Sequence, residues 1–211
     1  MRRMGDTGIT VRPATEADVD ETAGTLALAF HDDPQWLWSL PVETSRPERL
    51  RRIFTTMLRY EVLRHGAVEV ACDEEGRIVG AALWLPPGKA KPTLREQAAA
   101  SPGYLRAYGR RIRYGNALQA ACFKAHPTGE PHWYLFILGV DPDLQGQGVG
   151  AALLRSRLDR VDAEGLAAYL ESTNTANVPL YEHFGFEVTG ALKLPKAAPR
   201  VDTMWRPRTK A

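Results

Sequence analysis

The chain has 211 residues, enough for one sizeable core and somewhat short for two. Its 44% apolar and 25% charged content is ordinary for a globular protein, and a formal charge of +2 gives no general case for nucleic acid or membrane as a partner. No apolar run approaches the roughly 18 residues of a membrane span, Met1-Arg2-Arg3-Met4-Gly5 leads to no signal-like segment, and Cys72 and Cys122 lie far apart without metal-ligand spacing, so no metal is expected and a reducing cytoplasm is the simplest home.

Residues 9–12 alternate as a short strand that Pro13-Ala14 breaks, and Thr15 with Asp18 three places later signals the N-cap of a helix through Phe30. Over 46–64, Leu50, Ile53, Phe54, Met57, Leu58 and Val62 recur at three- and four-residue intervals, predicting a second helix that Gly66 stops, with its arginines on a solvated face. Strands at 67–71 and 77–85 follow, joined by the turn Asp73-Glu74-Glu75-Gly76 and ended by Pro86-Pro87. Residues 93–124 have a helical pattern interrupted at Ser101-Pro102-Gly103 and rich in Arg and Tyr. They read as an inserted helical pair: a lid over a site, or amphipathic packing with an exposed basic face. An RNA-binding reading of that face has no support elsewhere in the chain.

After a loop at 126–131, a buried strand over His132–Val140 leads into Gln145-Gly146-Gln147-Gly148-Val149-Gly150 and a helix over 149–162 that Gly165 allows to stop. A strand over Ala167–Ser172, a short helix from Asn177 to Gly185, and a closing antiparallel pair at 186–192 and 201–206 complete the order. There are no internal repeats, and the ends, 1–8 and 207–211, read as frayed.

Three alternate glycines between a strand and a helix describe an anion-binding turn: glycine admits positive φ and close approach, successive N–H groups aim at one anion, and the positive helix end faces the same point. A pyrophosphate is the natural guest. The run Gly146-Gln147-Gly148-Val149-Gly150-Ala151 formally fits a dinucleotide fingerprint, with Glu171 about 20 residues on as the ribose acid. Against this, Asp141-Pro142-Asp143-Leu144-Gln145 separates strand from glycines, and only about sixty residues remain for the further βα units such a fold needs. A Walker loop is excluded, since no Gly-Lys-Ser or Gly-Lys-Thr occurs.

The run Leu138-Gly139-Val140-Asp141-Pro142-Asp143-Leu144-Gln145-Gly146-Gln147-Gly148-Val149-Gly150, followed by Asn177 and Tyr181-Glu182-His183-Phe184-Gly185-Phe186, resembles the GCN5-related N-acetyltransferases (GNAT). Gln145-x-x-Gly148-x-Gly150 looks like that superfamily's phosphate loop, and Tyr181-x-x-x-Gly185-Phe186 like its second signature element. Within the superfamily the chain is most similar to the puromycin N-acetyltransferase branch, through His132-Trp133-Tyr134-Leu135, Leu170-Glu171-Ser172 and Met204-Trp205-Arg206. The resemblance implies an α/β (α+β) fold, a mixed, mostly antiparallel twisted sheet of about seven strands with flanking helices and a splayed central strand pair. It implies one domain over 9–206 with a helical insert near 93–125.

Acetyl transfer needs a neutral amine, a donor for the tetrahedral oxyanion, and a proton for the departing thiolate. The resemblance implies acetyl-CoA as co-substrate, its phosphates on the N–H groups of Gly146, Gln147, Gly148, Val149, Gly150 and Ala151. Gln145 and Gln147 would add side-chain hydrogen bonds, and Asn177 would face the same molecule. The pantetheine amides would pair with the main chain of Leu138 and Val140 as an added strand, with Gly139 marking a bulge where the strands part. The N–H of Val140 or Leu138 is then the candidate oxyanion donor. Tyr181 is the candidate acid toward sulfur; otherwise it is a buried aromatic with a satisfied hydroxyl.

A lysine-like amine with pKa ~10.4 is neutral about one part in a few thousand at pH 7, whereas an α-amino group is already roughly a tenth neutral. The demand on a base therefore depends on the acceptor. Glu171 is one candidate base and His132 another; the alternatives are a strand-end hydrogen-bond acceptor and a surface residue. His31, Asp32, Asp33 and Trp36, with Trp38 and the loop around His126, suggest an aromatic, acidic acceptor pocket. Otherwise the aspartates are loop formers before Pro34 and the tryptophans pack the core.

The expected reaction moves acetyl to a primary amine of a small molecule by direct attack in a ternary complex, an aminonucleoside-type antibiotic being one acceptor and a metabolite amine, polyamine or peptide amine fitting no worse. A homodimer is compatible with this reading; nucleic acid and membrane are not expected partners. A non-catalytic acyl-CoA-binding module and a dinucleotide-dependent oxidoreductase are the alternatives.

Overall fold

A computed structural model describes residues 8–209. Seven strands form one sheet in the order β1-β2-β3-β4-β5-β7-β6: β1 (Thr10–Pro13), β2 (Val68–Cys72), β3 (Ile78–Leu85), β4 (His132–Val140), β5 (Ala167–Ser172), β6 (Glu187–Ala191) and β7 (Asp202–Arg206). All neighbours are antiparallel except β4 and β5. This is the mixed, mostly antiparallel sheet the resemblance implies.

Helices α1 (Val19–Ala29), α2 (Pro34–Ser39) and α3 (Arg46–Met57) precede β2; α4 (Leu94–Tyr108) and α5 (Ile112–Ala125) lie between β3 and β4. The remaining two, α6 (Val149–Ala163) and α7 (Val178–His183), each follow one of the two parallel strands. The start of α1 is fixed as the Thr15/Asp18 spacing predicts. Thr15 N–H donates to the Asp18 carboxylate at 2.7 Å, and Arg12 grips the same group at 2.7 and 2.8 Å, holding it well below the usual carboxylate range.

Side chains of successive strand residues leave opposite faces, and the two faces bury different cores. Val68, Val70 and Cys72 pack with Leu26, Leu50, Phe54 and Trp36 under the α1 and α3 face; Ala71, Val79, Ala82 and Trp84 pack with Leu153, Leu154 and Leu158 of α6. Behind the sheet a buried ion pair, Arg157 to Glu69 at 3.1 Å, sits with the Arg157 guanidinium 4.9 Å over the Trp133 ring. Gly80 makes room for this helix, since a Cβ there would stand 3.1 Å from Val149 and 3.2 Å from Leu153.

Three sequence expectations are corrected, and a fourth falls largely outside the described residues. The insert does not break at Ser101-Pro102-Gly103: α4 runs through Pro102, and the break falls at Gly109, whose φ of 53° and ψ of −130° suit glycine. Gly103 instead lets α4 lie against α3, because a Cβ there would fall on the Thr56 side chain. Asp33-Pro34 opens a helix rather than a loop: the Asp33 carboxylate accepts from the N–H groups of Gln35 at 2.9 Å and Trp36 at 3.4 Å. Arg46 is not solvated; it is buried and donates to the carbonyls of Leu40, His31 and Pro41. Of the ends expected to fray, 1–7 and 210–211 lie outside the described residues, while the Thr209 hydroxyl donates to Asp162 at 2.8 Å.

Candidate functional site

The central strands part. β4 and β5 pair over only four residues each, from His132↔Ala167 to Leu135↔Leu170, after which β4 continues to Val140 paired with β3 alone and β5 continues to Ser172 paired with β7 alone. Gly139 is not the bulge the sequence suggested. It pairs regularly with Ala81, and the register shift falls at Phe136, between the Leu83↔Ile137 and Trp84↔Leu135 pairs. What Gly139 provides is space for α1, because a Cβ would lie 2.7 Å from Leu26 and 3.0 Å from Phe30.

The phase of the β3–β4 ladder follows from one bond, Asp141 N–H to the Val79 carbonyl at 2.9 Å. Antiparallel residues alternate between pairs that exchange hydrogen bonds and pairs that do not, so Gly139 and Ile137 spend their main-chain groups on β3. Leu138 and Val140 point theirs into the gap beside β5. The Val140 carbonyl accepts from the Gln145 side chain at 3.2 Å, leaving the two N–H groups on that edge.

At the end of β4 the glycine turn has the conformation its sequence requires, with Gly146 at φ 74° and Gly148 at φ 89°, the latter capping α6. Gly150 lies inside α6. The N–H groups of Gly146, Gly148, Val149, Gly150 and Ala151 have no partner among the described residues, as expected of a turn and a helix's first turn. The side chains of Gln145 and Gln147 are used within the loop itself, the latter donating to the Asp143 carbonyl at 3.0 Å.

A cavity of about 200 Å³ opens where β4 and β5 separate and runs beneath α4 and α5. Glu171, Thr173, Asn177, Tyr181 and Leu138 line its sheet end. The even spacing along the strands puts Tyr134 and Phe136 of β4 on the same face as Tyr169 and Glu171 of β5. Burial pushes the Glu171 carboxyl up to about 7, against the downward pull of the Tyr134 and Tyr169 hydroxyls, and its Oε1 is buried without a hydrogen-bond partner among the described residues. Tyr181 is buried, and burial together with the nearby Asp33 charge raises its phenol well above the usual range, keeping it protonated. Asp33 is itself pushed upward by burial while accepting from the Thr173 hydroxyl at 2.6 Å.

Glu171, Tyr181, Asn177, Leu138 and Trp36 thus meet at one cavity, with Asp33 one hydrogen bond behind its wall. His31, Asp32 and His132 are not among its lining residues. His31 and Asp32 turn outward at the end of α1, and His132 is neither at the cleft nor on the surface. It is buried at the opposite end of β4, where Nδ1 donates to the Glu130 carbonyl at 2.8 Å and Nε2 lies 3.1 Å from His126 Nε2. Trp38 packs edge-on against Tyr114 at 4.7 Å. Among the lining residues that the sequence reading did not place at the site are Tyr134, Gln35 and Glu61. Glu61 had a legible signal, being an acid on the apolar stripe of Met57, Leu58 and Val62.

Residues 27–186 match the acetyltransferase (GNAT) family profile. An uncharacterised N-acetyltransferase of Schizosaccharomyces pombe is 31% identical over 179 residues, 80% of this chain and 70% of that protein. A mycothiol acetyltransferase of Propionibacterium freudenreichii is 39% identical over 67 residues, 30% of this chain and only 22% of that protein. A crystal structure from Corynebacterium glutamicum, described as histone acetyltransferase HPA2 and related acetyltransferase, superposes with TM-score 0.74 at 29% identity over 97% of this chain and 98% of that one.

Proposed function

The chain belongs to the acetyltransferase (GNAT) family, whose members draw the acetyl group from acetyl-CoA, and from that premise we propose that it acetylates the primary amine of a small molecule by direct attack in a ternary complex. The observation that carries this reading is the meeting of Glu171 and Tyr181 in one cavity, at the place where β4 and β5 part and beside a turn of unpartnered N–H groups. The residues fit the co-substrate. A diphosphate suits the N–H groups of Gly146 and of Gly148 to Ala151, and the free edge of Leu138 and Val140 suits the amides of a pantetheine arm.

Glu171 Oε1 takes a proton from the incoming ammonium group. A carboxyl pushed up to about 7 is a stronger base than an ordinary one and is still half ionised at neutral pH. The freed nitrogen forms a C–N bond to the thioester carbon while the C–S bond breaks. Main-chain N–H of Leu138 or Val140 meets the carbonyl oxygen as it gains charge. Tyr181 gives its proton to the departing sulfur, a role for which a phenol held protonated is suited, and the second proton shed by the acylated nitrogen restores the phenol. Asn177, one helical turn earlier, lines the same passage.

The resemblance of the short runs 132–135, 170–172 and 204–206 to the puromycin branch is what keeps an aminonucleoside among the candidate acceptors. A cytoplasmic setting accords with two free cysteines, Cys72 buried and Cys122 half-buried. Among the described residues no helix is long and apolar enough to cross a membrane. The test is free-thiol release from acetyl-CoA across aminonucleosides, polyamines, simple alkylamines and peptide N-termini. Thiol release that depends on one class of amine supports the reading, and no amine-dependent release with any class overturns it.

A further inference from the structure

The cavity has a second acidic end. Beyond α3 the backbone widens into a π turn over Leu58–Val62, then tightens into a 3-10 turn at Leu63–His65 before Gly66 ends the segment in the left-handed region. Wide turns of this kind cost hydrogen-bond geometry and recur at functional sites. Here the turn carries Glu61 inward, 8% exposed, to line the cavity. Burial, with the Glu96 charge behind, pushes its carboxyl up to about 7 against the downward pull of the Tyr104 hydroxyl of α4. The cations near this end are engaged or peripheral: Arg64 pairs with Glu96 at 3.1 Å, His65 is lowered by burial, and Lys89 is exposed at the rim.

Between the Glu61 and Glu171 ends the wall is apolar and aromatic, with Phe30, Trp36, Met57, Tyr108 and Phe136. Among the polar side chains that line it, one is both buried and open at each end. Gln35 is 1% exposed, lines the cavity, and has neither its amide nitrogen nor its amide oxygen bonded among the described residues. A buried amide with both ends open costs free energy until a ligand pairs with it.

We infer that the acceptor is a molecule with two hydrogen-bond-donating cationic ends, an α,ω-diamine or amino-guanidine, whose reacting amine faces Glu171 while its far end is held by Glu61 across an apolar midsection. A spacer carrying an amide or secondary amine would also satisfy Gln35. The inference rests on the reading of Glu171 as the reactive end. A cation arriving beside Glu61 restores the carboxylate and expels its proton, so binding near neutral pH is coupled to proton release.

The experiment compares an α,ω-diamine with the monoamine of the same chain length in steady-state acetyl-CoA kinetics, using the wild type and Glu61→Gln. The wild type should favour the diamine by about tenfold to a hundredfold in kcat/KM, the scale of one charge-assisted hydrogen bond in a dry site. Glu61→Gln should erase that preference through KM while kcat for the diamine stays within a few-fold. Calorimetry in buffers of different ionisation heat should register more proton release at pH 7 for the diamine than for the monoamine, because the diamine places a cation beside Glu61 as well as Glu171, a readout independent of the variant's folding. Equal use of the two amines by the wild type, a preference that survives Glu61→Gln, or diamine binding with no more proton release than the monoamine overturns the Glu61 assignment and leaves Glu171 untouched. Failure of every amine to release thiol overturns both.

Discussion

The Thr173 hydroxyl donates to Asp33 Oδ2 at 2.6 Å, tying the loop after β5 to the start of α2 across 140 residues of sequence. The other Asp33 oxygen caps α2, so one carboxylate joins two walls of the cavity and sets the charge beside Tyr181. Asp33→Ala removes a cap and a buried bond and should cost about 2 kcal/mol of stability in denaturant unfolding. Asp33→Asn keeps a good cap and should cost less than half of that. In the Asn variant the Tyr181 phenol, freed of the adjacent charge, should titrate lower in an ultraviolet pH titration.

Replacing Tyr181 by Phe keeps the ring that packs against Phe186 at 6.1 Å and deletes the proton. Turnover should fall about a hundredfold, the lower range for a lost general acid, while the acetyl-CoA dissociation constant stays nearly unchanged in titration calorimetry. Unchanged turnover removes Tyr181 from the acid role.

Glu171 should leave its mark on pH profiles. Its carboxyl titrates at about 7 in the folded protein against 4.5 for the free group, so kcat/KM should rise with pH through a limb near 7. That limb should stay in place for acceptors of different amine pKa and vanish in Glu171→Gln. The same shift has a stability consequence of definite sign. A carboxyl raised by folding binds its proton more tightly in the folded state, so the stability it lends below pH 4.5 is lost as pH rises towards 7. Glu171→Gln should flatten that decline, and Glu61→Gln, with its carboxyl likewise at about 7, should do so independently.

Gly148→Val should abolish acetyl-CoA binding. At φ 89° a β-branched residue is strained, and the neighbouring N–H groups lose their common aim. Calorimetry should show no heat of binding, while the fold persists by circular dichroism because the turn is exposed.

Behind the sheet, Arg157→Met leaves Glu69 buried with only Arg160 at 3.7 Å, and should cost about 3 kcal/mol by denaturant unfolding. The joint replacement Glu69→Leu with Arg157→Met should recover most of that loss, since no uncompensated charge remains.

Much of this was legible in the residues. The glycine turn, the strand before it and the helix after it declare themselves, because glycine spacing and hydrophobic periodicity are local signals. The bend of the sheet was misplaced, from Phe136 to Gly139, because a glycine in a strand admits two explanations: a bulge, or a neighbour too close for a Cβ. Only the packing of α1 decides. Asp33 read as a pocket acid or a loop former, and its capping role follows only from its contacts with the N–H groups of Gln35 and Trp36. His132 looked like a cleft residue because sequence puts it on the right strand; the nine-residue length of β4 carries it to the wrong end. Glu61 stood on an apolar stripe, but the π turn that aims it inward depends on α4 packing across it.

With only four residue pairs joining β4 to β5, the sheet is two half-sheets stitched along a short seam. A pantetheine arm lying on the open edge of β4 would extend that seam as a removable splint. Each turnover would then fasten and unfasten the middle of the fold, so the rigidity of the whole molecule would follow the arrival and departure of the substrate it consumes.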